Sequence, residues 1–468
     1  MGSRNSKHSY QIVCHIVRFH EERRRRFMPF LFALSVLIGS ILFCVIFGFT
    51  ILYGLSAGAI AFFVAALWKG HTLQEIVPMM GRGIRDSFIV IRILLLIGAM
   101  TGIWRISGTI PYLVYYGIQL IAPKTFLLLA FLLASAVSYL IGTSIGTCGT
   151  IGVVLMVLAK AGDVNLFMTA GAVISGAYFG DRASPASSCA NLVAFLTSTE
   201  LYENVKKMLR NTVLPMLMVT ASYAGLSLLF PLQATSQSMS ADIAAHVTLS
   251  PWLLLPVVVI LIAPFLKVLI RNAMAVSIVL GAGLGLWIQK IEPAAILKAL
   301  LTGFTTDVEI LKMFQGGGVM SMKNAILIIL ISATFSGILK GTDMLSDIWE
   351  RLEGWAKRFG VFPVMAFTSI PVSAIACNQT LSLILEAQLI KPIYQTRQLS
   401  NSQMMLDMSN STVTIAGLIP WNTACAIPLS LLGVSFAAIP WAFYLWLLPV
   451  LGVLQFAISD KKDIKHSA

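Results

Sequence analysis

The stretch from Gly142 to Asn191 decides the fold that we expect for this chain. It begins with GTSIGTCGT (142–150), continues through an apolar run and ends with SGAYFGDRASPASSCAN (175–191). A helix broken in lipid leaves backbone groups unsatisfied, so breaks occur only where protein or a water-filled cavity surrounds them. Many secondary transporters build substrate and ion sites from such broken helices. We therefore predict that this stretch forms half of a transport site.

The composition is that of a membrane protein. The chain has 468 residues, of which 57% are hydrophobic and 11% charged, whereas soluble domains carry about 25% charged residues. The net charge of +13 comes from basic residues that punctuate apolar runs, apart from Arg23 to Arg26 before the first run. This distribution indicates orientation in a membrane and not nucleic-acid binding. We predict an all-α, multi-pass protein of the inner (cytoplasmic) membrane.

The six cysteines show no framework of paired spacings, so we predict no disulfides. Four of them lie in the expected helix breaks, where they could bind a metal ion or serve as small packing residues: Cys148, Cys189, Cys377 and Cys425. The N-terminal run from Phe27 to Phe47 is long enough to span the membrane and lacks a clear cleavage site. We predict an anchored helix there and not a signal peptide.

About 20 apolar residues are needed for a spanning helix. On this measure about ten transmembrane helices, two re-entrant hairpins and two broken helices are expected. In the first half the segments are spans at 28–47, 50–68 and 87–104, hairpin arms at 125–141 and 147–160, a broken helix over 165–199, and a span at 212–231. In the second half they are spans at 251–266, 272–289 and 323–339, hairpin arms at 361–376 and 379–391, a broken helix over 403–434, and a span at 436–457. Short interfacial helices are predicted at 71–86, 109–122, 200–211 and 343–358.

The two halves have matching motifs at an almost constant offset. Gly102 corresponds to Gly337 and Pro185 to Pro420 at 235 residues, and Thr143 and Ser144 correspond to Cys377 and Asn378 at 234. This offset indicates an internal duplication. Each half has five crossings, and an odd number turns the second half over. We therefore predict two inverted repeats, related by an axis in the membrane plane.

The basic residues support one orientation of this topology. With the N-terminus inside, 24 Lys and Arg fall on cytoplasmic segments and 7 on external ones, while Arg92 and Arg182 remain in the membrane. Positive residues favour the cytoplasmic side, so both termini are predicted to be cytoplasmic. The predicted segments are a cytoplasmic tail at 1–26, a first repeat at 27–232, an external linker at 233–250, a second repeat at 251–458 and a cytoplasmic tail at 459–468.

Ionisable residues inside the bilayer cost at least roughly 2.5–3.5 kcal/mol each, so each needs a reason. The candidates are Asp181, Arg182 and Glu386, with Asp407 and Arg92 placed less deeply. Asp181 could bind a proton or a cation, or it could pair with Arg182 and cap the next half-helix. Glu386 could be a second proton carrier or the partner of a basic residue.

Small polar residues concentrate at the matched breaks. Their oxygens suit Na+ when freed backbone carbonyls join them, although such residues also pack membrane helices together. A Na+ site near Asp181 is our hypothesis. From the first half we expect Thr143, Ser144, Thr147, Ser184, Ser187, Ser188 and Asn191 at the site. From the second half we expect Asn378, Gln379, Thr380, Ser409, Asn410, Thr412, Asn422 and Thr423.

A family resemblance becomes specific at these motifs. GTSIGT and GAYFGDRASPASSCANL in the first half, with STVTIAGLIPWNTACA and then LLGVS in the second, resemble the NhaC-type Na+/H+ antiporter family. The likeness extends from about residue 30 to 457 and implies cation-coupled secondary transport by alternating access. Asp181 matches the acid of the family pattern. That pattern has another acid at the position of Ser188, and an Arg followed by an acidic pair where this chain has Met405, Met408 and Ser409.

We therefore predict a secondary antiporter, not an enzyme, that exchanges Na+ for H+ at a central site near Asp181. Na+ and H+ are the expected coupling ions, and no cofactor is expected. Because the chain lacks several of the family's acids, the alternative is a Na+- or H+-coupled transporter of a small organic acid or amino acid, with Arg182 holding its carboxylate. A channel or a membrane scaffold fits paired broken helices less well. The chain contains no phosphate-binding G-x-x-x-x-G-K-[ST] loop, so direct ATP coupling is not expected. The bilayer is the expected partner, and a homodimer stays an open alternative to a monomer.

Overall fold

A computed structural model describes residues 28–466, except 45, 121, 233–235, 264–265, 267 and 343–348. The predicted tail at 1–26, with Arg23 to Arg26, lies outside the described residues, as do the first residues of the predicted linker. In the described part, helices are the only regular elements beside one isolated bridge between Phe304 and Gly316. The prediction of an all-α protein is confirmed.

Seven of the described helices are long and apolar enough to cross a membrane, and shorter apolar helices lie between them. This establishes a multi-pass α-helical membrane protein. The seven are Ile51–Trp68, Leu73–Ile106, Pro123–Ile141, Ser144–Ala161, Leu201–Leu229, Ile270–Trp287 and Val319–Thr342.

We number the helices in chain order. Those of the first half are α1 (Met28–Cys44), α2 (Ile51–Trp68), α3 (Leu73–Ile106), α4 (Thr109–Leu120), α5 (Phe126–Ile141), α6 (Ser144–Ala161), α7 (Leu166–Ala183), α8 (Ser188–Thr197) and α9 (Leu201–Leu229). Those that follow are α10 (Ser236–His246), α11 (Leu255–Ile262), α12 (Ile270–Trp287), α13 (Pro293–Thr302), α14 (Lys323–Thr342), α15 (Trp349–Phe359), α16 (Val361–Ala376), α17 (Gln379–Thr396), α18 (Asn401–Asn410), α19 (Thr412–Ala416), α20 (Thr423–Leu432) and α21 (Phe443–His466). Short 3-10 helices cover Pro123–Thr125, Pro251–Leu254, Glu309–Phe314, Val319–Met322 and Phe436–Trp441.

The chain divides into two compact units. The first comprises the residues up to Phe88 together with Leu327–Lys357. Within it the rings of Phe62 and Phe335 stack with centroids 5.4 Å apart, and α3 meets α14 backbone to backbone. A Cβ on Gly83 would lie 2.9 Å from the Cα of Gly337, so these glycines permit the close approach.

Two of the predicted interfacial helices are not separate elements. The segment 71–86 continues into the next span as the single helix α3, and 200–211 continues into the next span as α9. Gly81 and Gly83 do not break α3, and Gly83 packs against α14. Pro215 likewise lies inside α9 without ending it. A third, at 109–122, corresponds to α4, whose Thr109, Ile110 and Val114 are buried in the protein. For 343–358, the structure has α15, and 343–348 lie outside the described residues.

The second unit, Ile89–Ile326 with Arg358–Ala468, contains the predicted hairpins and broken helices. The first hairpin is α5 and α6, which turn at Gly142 and Thr143, and the second is α16 and α17, which turn at Cys377 and Asn378. The first broken helix is α7 and α8, interrupted at 184–187. The second is α18, α19 and α20, interrupted at Ser411 and again at 417–422. The region predicted as a linker includes the helix α10.

Helix bounds in the two halves repeat at an offset of 235 residues. Both α5 and α16 have 16 residues, and their first residues, 126 and 361, differ by 235; the same holds for the 10 residues of α8 and α20, which start at 188 and 423. The hairpin turns match in conformation, since Gly142 and Cys377 are both left-handed with φ of 73° and 52°. Thr143 therefore corresponds to Asn378, and the predicted offset of 234 at this turn is wrong by one residue.

The packing between the halves is reciprocal. Helix α6 of the first hairpin packs on α20 of the second broken helix, and α17 of the second hairpin packs on α8 of the first. In the first contact, a Cβ on Gly152 would lie 2.9 Å from Cδ2 of Leu432. In the second, Lys391 donates to the carbonyl of Leu196 at 3.4 Å, near the C-terminus of α8. Each hairpin is thus held against the broken helix of the other half.

Candidate ion-binding site

Asp181 lies in the last turn of α7, and only 3% of its surface is exposed. Ser144, the first residue of α6, donates a hydrogen bond of 2.9 Å to its Oδ2. Ser187, the N-cap of α8, donates to the backbone oxygen of Asp181 and lies 3.3 Å from its Oδ1. The first hairpin and the helix break therefore both supply hydroxyl groups to this carboxyl.

Two further side chains complete the surroundings of the carboxyl. Sγ of Cys189 lies 3.9 Å from Oδ2, which places this thiol beside the acid. Gln379, the first residue of α17, approaches the carboxyl group, while its amide donates to the carbonyl of Val413 at 3.2 Å. The N-terminal ends of α6, α8 and α17 thus supply groups to Asp181. Helix N-termini carry partial positive charge, which stabilises an ionised carboxylate.

Gly142 explains how the hairpin turn comes so close to the helix break. Its φ of 73° lies in the left-handed region that glycine adopts without strain. A Cβ at this position would lie 2.5 Å from the carbonyl carbon of Ala186. Only glycine therefore lets the turn rest against the break and place Ser144 on Asp181.

Arg182 follows Asp181 directly but has different surroundings, all of them neutral oxygens. Its Nε donates to the carbonyl of Ser409 at 3.2 Å. Its Nη1 donates to Thr212 and contacts the hydroxyl of Tyr444 at 3.3 Å and the carbonyl of Met208 at 3.5 Å. Its Nη2 donates to the side-chain oxygens of Asn211, at 3.3 Å, and Asn410. A guanidinium has five N–H donors, and these oxygens are enough to occupy all of them.

Asp181 and Arg182 do not form an ion pair. Successive residues of an α-helix point about 100° apart, because a turn contains 3.6 residues. The carboxyl therefore faces the hairpin turns, whereas the guanidinium faces α9, α18 and α21. The interpretation of Asp181 as a structural partner of Arg182 is wrong.

Two more acids are buried in the second half. Glu386 is fully buried, and its Oε1 lies 2.5 Å from the hydroxyl of Thr368, while its Oε2 has no hydrogen-bond partner among the described residues. Asp407 accepts from the hydroxyl of Tyr394 at 2.5 Å and from the amide of Gln403 at 2.8 Å. No basic residue of the described chain pairs with Glu386, so the salt-bridge interpretation is wrong. Arg92 is exposed.

Several of the predicted site residues hold the helix ends. Asn378 and Asn422 cap α17 and α20 through their side-chain oxygens. Thr147, Ser184 and Ser409 donate to backbone carbonyls at 2.6–2.9 Å. The hydroxyl of Thr412 pairs with that of Ser369 at 2.9 Å, and the backbone N–H of Thr423 donates to the carbonyl of Cys377. Thr143 is the half-buried N-cap of α6.

Three predicted residues are exposed and lie away from the carboxyl contacts: Ser188, Asn191 and Thr380. The amide of Asn191 donates to the carbonyls of Ser187 and Pro185 at 2.7 and 3.3 Å. Ser188 and Thr380 are helix residues just past the caps. Ser188 directly follows the buried Ser187, and Thr380 directly follows the half-buried Gln379, which explains why the sequence pattern alone included them.

Sequence reasoning included Ser409 and Asn410 but missed the other side chains that accept from Arg182. Asn211 and Thr212 stand where a basic segment gives way to an apolar one, and Tyr444 stands in the last long helix. The adjacent amide and hydroxyl of Asn211 and Thr212, at the border between the basic and the apolar segment, were the signal that could have indicated these acceptors. Thr368, the partner of Glu386, had no signal because isolated threonines are common in membrane helices.

Buried acids at the ends of broken helices, within a multi-pass helical chain, form the architecture of an ion-coupled transporter. The family model of the Na+/H+ antiporter family matches residues 24–190 and 176–458. The chain belongs to the Na+/H+ antiporter family, and this membership supports Na+/H+ antiport as its activity, with Na+ and H+ as the transported ions. The predicted resemblance is confirmed.

The individual relatives are antiporters of different solutes. The chain is 31% identical to the Na+/H+ antiporter NhaC of Bacillus subtilis, over 83% of this chain and 88% of that protein. It is 26% identical to the malate-2H+/Na+-lactate antiporter of the same organism, over 90% and 92%. It is 25% identical to the arginine/ornithine antiporter ArcD of Halobacterium salinarum, over 84% and 83%.

Proposed function

We propose that the protein exchanges Na+ for H+ by alternating access, and that both ions compete for the carboxyl group of Asp181. The observation that carries this proposal is the set of neutral donors around a buried acid without a counter-ion. An unpaired charge in a low-dielectric interior is unfavourable, so the carboxylate is neutralised by either a proton or a cation.

Competition at one carboxylate is sufficient for exchange. A proton and Na+ cannot occupy the same carboxylate oxygens together, so each crossing carries one ion or the other. The hydroxyl groups of Ser144 and Ser187 can turn a lone pair toward Na+ or a hydrogen toward the carboxylate. The same residues therefore serve both loaded forms.

Replacement of Asp181 tests this mechanism. Asp181→Asn keeps the size of the side chain and one oxygen but removes the titratable charge, so Na+-driven proton movement in proteoliposomes should disappear. The wild type should need more Na+ for half-maximal exchange as the pH falls, because protons then occupy more of the sites. An internal pH indicator under an imposed Na+ gradient measures both. Near wild-type exchange by a folded Asn variant would rule out Asp181 as the shared site.

For the repeats, we propose an inverted arrangement with both termini cytoplasmic. The repeated helix bounds and the reciprocal packing support a two-fold relation between the halves, and the odd number of crossings per half makes it inverted. Single cysteines at Thr143 and Asn378, in a background without other cysteines, should react with an impermeant thiol reagent from opposite sides. Labelling of both from one side contradicts the inversion.

A second candidate function is exchange of a small organic acid or amino acid coupled to Na+ or H+. The similarity to a malate-2H+/Na+-lactate antiporter and to an arginine/ornithine antiporter favours it. Arg182 offers little support, because protein oxygens already occupy its donors. Addition of malate, lactate or arginine to the same proteoliposomes separates the two, since only the second candidate predicts that the solute accelerates Na+ movement.

A further inference from the structure

Glu386 is a buried acid that the proposed exchange at Asp181 does not use. It lies within α17, one arm of the second hairpin, and is fully buried. Its only hydrogen-bond partner among the described residues is Thr368 on the other arm, α16. The two residues therefore bridge the arms of the hairpin.

The hydrogen bonds of Thr368 indicate which of the two carries the bridging proton. Its Oγ1 lies 3.0 Å from the carbonyl of Val364, 3.1 Å from that of Met365 and 2.5 Å from Oε1 of Glu386. Backbone carbonyls can only accept, and a threonine hydroxyl has one hydrogen. When that hydrogen goes to the helix backbone, the short contact requires a hydrogen on Glu386. The alternative, in which Thr368 donates to Oε1, would leave an ionised Glu386 with this single donor.

The other oxygen of Glu386 leads to the same protonation state. Oε2 is buried and has no hydrogen-bond partner in the described chain. A neutral carboxylic acid leaves only a carbonyl oxygen unsatisfied, whereas a carboxylate would leave a charge unsatisfied at a far larger cost. Asp407 differs, because two donors reach its carboxyl.

The neighbours of Glu386 bring no counter-charge. Helices α16 and α19 contain no charged residue, and α8 contributes only the thiol of Cys189. On α17 itself, Lys391 donates to the carbonyl of Leu196 and Tyr394 donates to Asp407 of α18. Loss of the proton therefore requires that the surroundings of Glu386 change.

Further buried polar groups lie between the arms of the second hairpin. Between the hairpin arms, the amide of Asn422 donates to the carbonyl of Ser373 at 2.8 Å and lies 3.5 Å from the hydroxyl of Ser382. The hydroxyl of Ser373 is buried and has no partner among the described residues. Gln379, which reaches Asp181, lies seven residues before Glu386 on the same helix, about 10 Å along its axis.

We propose that Glu386 is a second proton-carrying group, which binds one proton between the arms of the second hairpin and releases it once in each transport cycle. This proposal rests on the proposed exchange at Asp181. The proton leaves to one side of the membrane when the arms part and water reaches Oε2, and a proton from water on the other side binds to Glu386 in the other half of the cycle, before the arms close again. Each cycle then moves one proton more than Asp181 alone would move.

The proton-to-Na+ ratio of the variant Glu386→Gln tests this assignment. Glutamine imitates the protonated acid in size and can still donate to Thr368, so transport at Asp181 should continue with one proton fewer per Na+. The ratio is obtained in proteoliposomes whose membrane potential is clamped at zero, from the pH gradient that stops net Na+ flux at a fixed Na+ gradient. Asp407→Asn is the matched control, because it removes another buried acid and should leave the ratio unchanged. An unchanged ratio in Glu386→Gln, or a lowered ratio in Asp407→Asn alone, overturns the proposal.

An infrared measurement decides the case in which Glu386→Gln does not transport. The difference spectrum between the Na+-free wild type and Glu386→Gln should show a protonated carboxylic C=O band that shifts in D2O. The absence of that band overturns the proposal. Asp181→Asn tests the exchange mechanism separately. If exchange persists in that variant, Asp181 is not the shared site, whatever ratio is measured in Glu386→Gln.

Discussion

Asp181 and Arg182 are consecutive, almost fully buried and opposite in charge, yet their surroundings differ in kind. Asp181 is 3% exposed and receives hydroxyl groups from a hairpin turn and a helix break. Arg182 is 1% exposed, and helices α9, α18 and α21 supply its acceptors. One residue faces the parts of the chain that turn, and the other faces the helices that surround them.

This difference indicates that Asp181 serves ion binding and that Arg182 serves structural support. The partners of Asp181 are hydroxyl, thiol and amide groups that can reorient toward a cation, so the carboxyl can exchange its ligand. The partners of Arg182 leave no N–H for a ligand, so the guanidinium joins four helices in one place. A buried charge is retained in such a network only when its hydrogen bonds are satisfied.

The largest expected effect is on folding, through Arg182. Arg182→Gln removes a buried charge and leaves the oxygens of Ser409, Thr212 and Asn410 without a donor. Each buried acceptor left without a donor costs roughly 1–3 kcal/mol, so the midpoint of thermal unfolding in detergent should fall sharply. Arg182→Lys keeps the charge with three donors and should fall in between. Asp181→Asn should keep a midpoint near that of the wild type.

The opposite order of unfolding midpoints would contradict these roles for Asp181 and Arg182. If Asp181→Asn lost its fold while Arg182→Gln unfolded like the wild type, the acid would be the structural group. Arg182 would then be available to a carboxylate ligand, and the organic-solute alternative would gain support.

Much of this architecture is accessible from sequence because lipid allows few alternatives. Gly142 and Pro185 mark real interruptions, and the hairpin arms 125–141 and 361–376 agree closely with α5 and α16. The site around Asp181 was reached through Ser144 and Ser187, since hydroxyl residues at breaks are recognisable. The inverted relation of the repeats remains a prediction.

The remaining features depend on packing that composition does not encode. Gly83, near the start of α3, permits close contact with α14 and does not break the helix. The sequence therefore suggested a short interfacial helix followed by a span, where the structure has one helix. The direction of the Arg182 side chain depends on helical phase, because a residue next to Asp181 points elsewhere. The exposure of Ser188, one position after the buried Ser187, has the same origin.

A moderate effect is expected on the apparent affinity for Na+, through Ser144. Ser144→Ala removes the 2.9 Å hydrogen bond to Oδ2 and one oxygen ligand near Asp181. Hydrogen bonds to charged groups contribute about 1.5–3 kcal/mol, and 1.4 kcal/mol corresponds to about tenfold in an equilibrium. The Na+ concentration for half-maximal exchange should therefore rise roughly tenfold or more, with little change in the maximal rate. A fall in the maximal rate alone would indicate that Ser144 positions the hairpin and does not contact the ion.

The smallest expected effect is that of Ser188→Ala, which is the matched control for Ser144→Ala. Ser188 is exposed, and no described residue forms a hydrogen bond with its side chain, although the family pattern has an acid at this position. Because the buried Ser187 supplies the hydroxyl at Asp181, loss of the neighbouring hydroxyl should leave both the half-maximal Na+ concentration and the maximal rate unchanged. The measurement is the same Na+ titration in proteoliposomes, read alongside Ser144→Ala. A shift in Ser188→Ala as large as that in Ser144→Ala would place Ser188 at the ion in the transporting state, and the helix break would then have to rotate during the cycle.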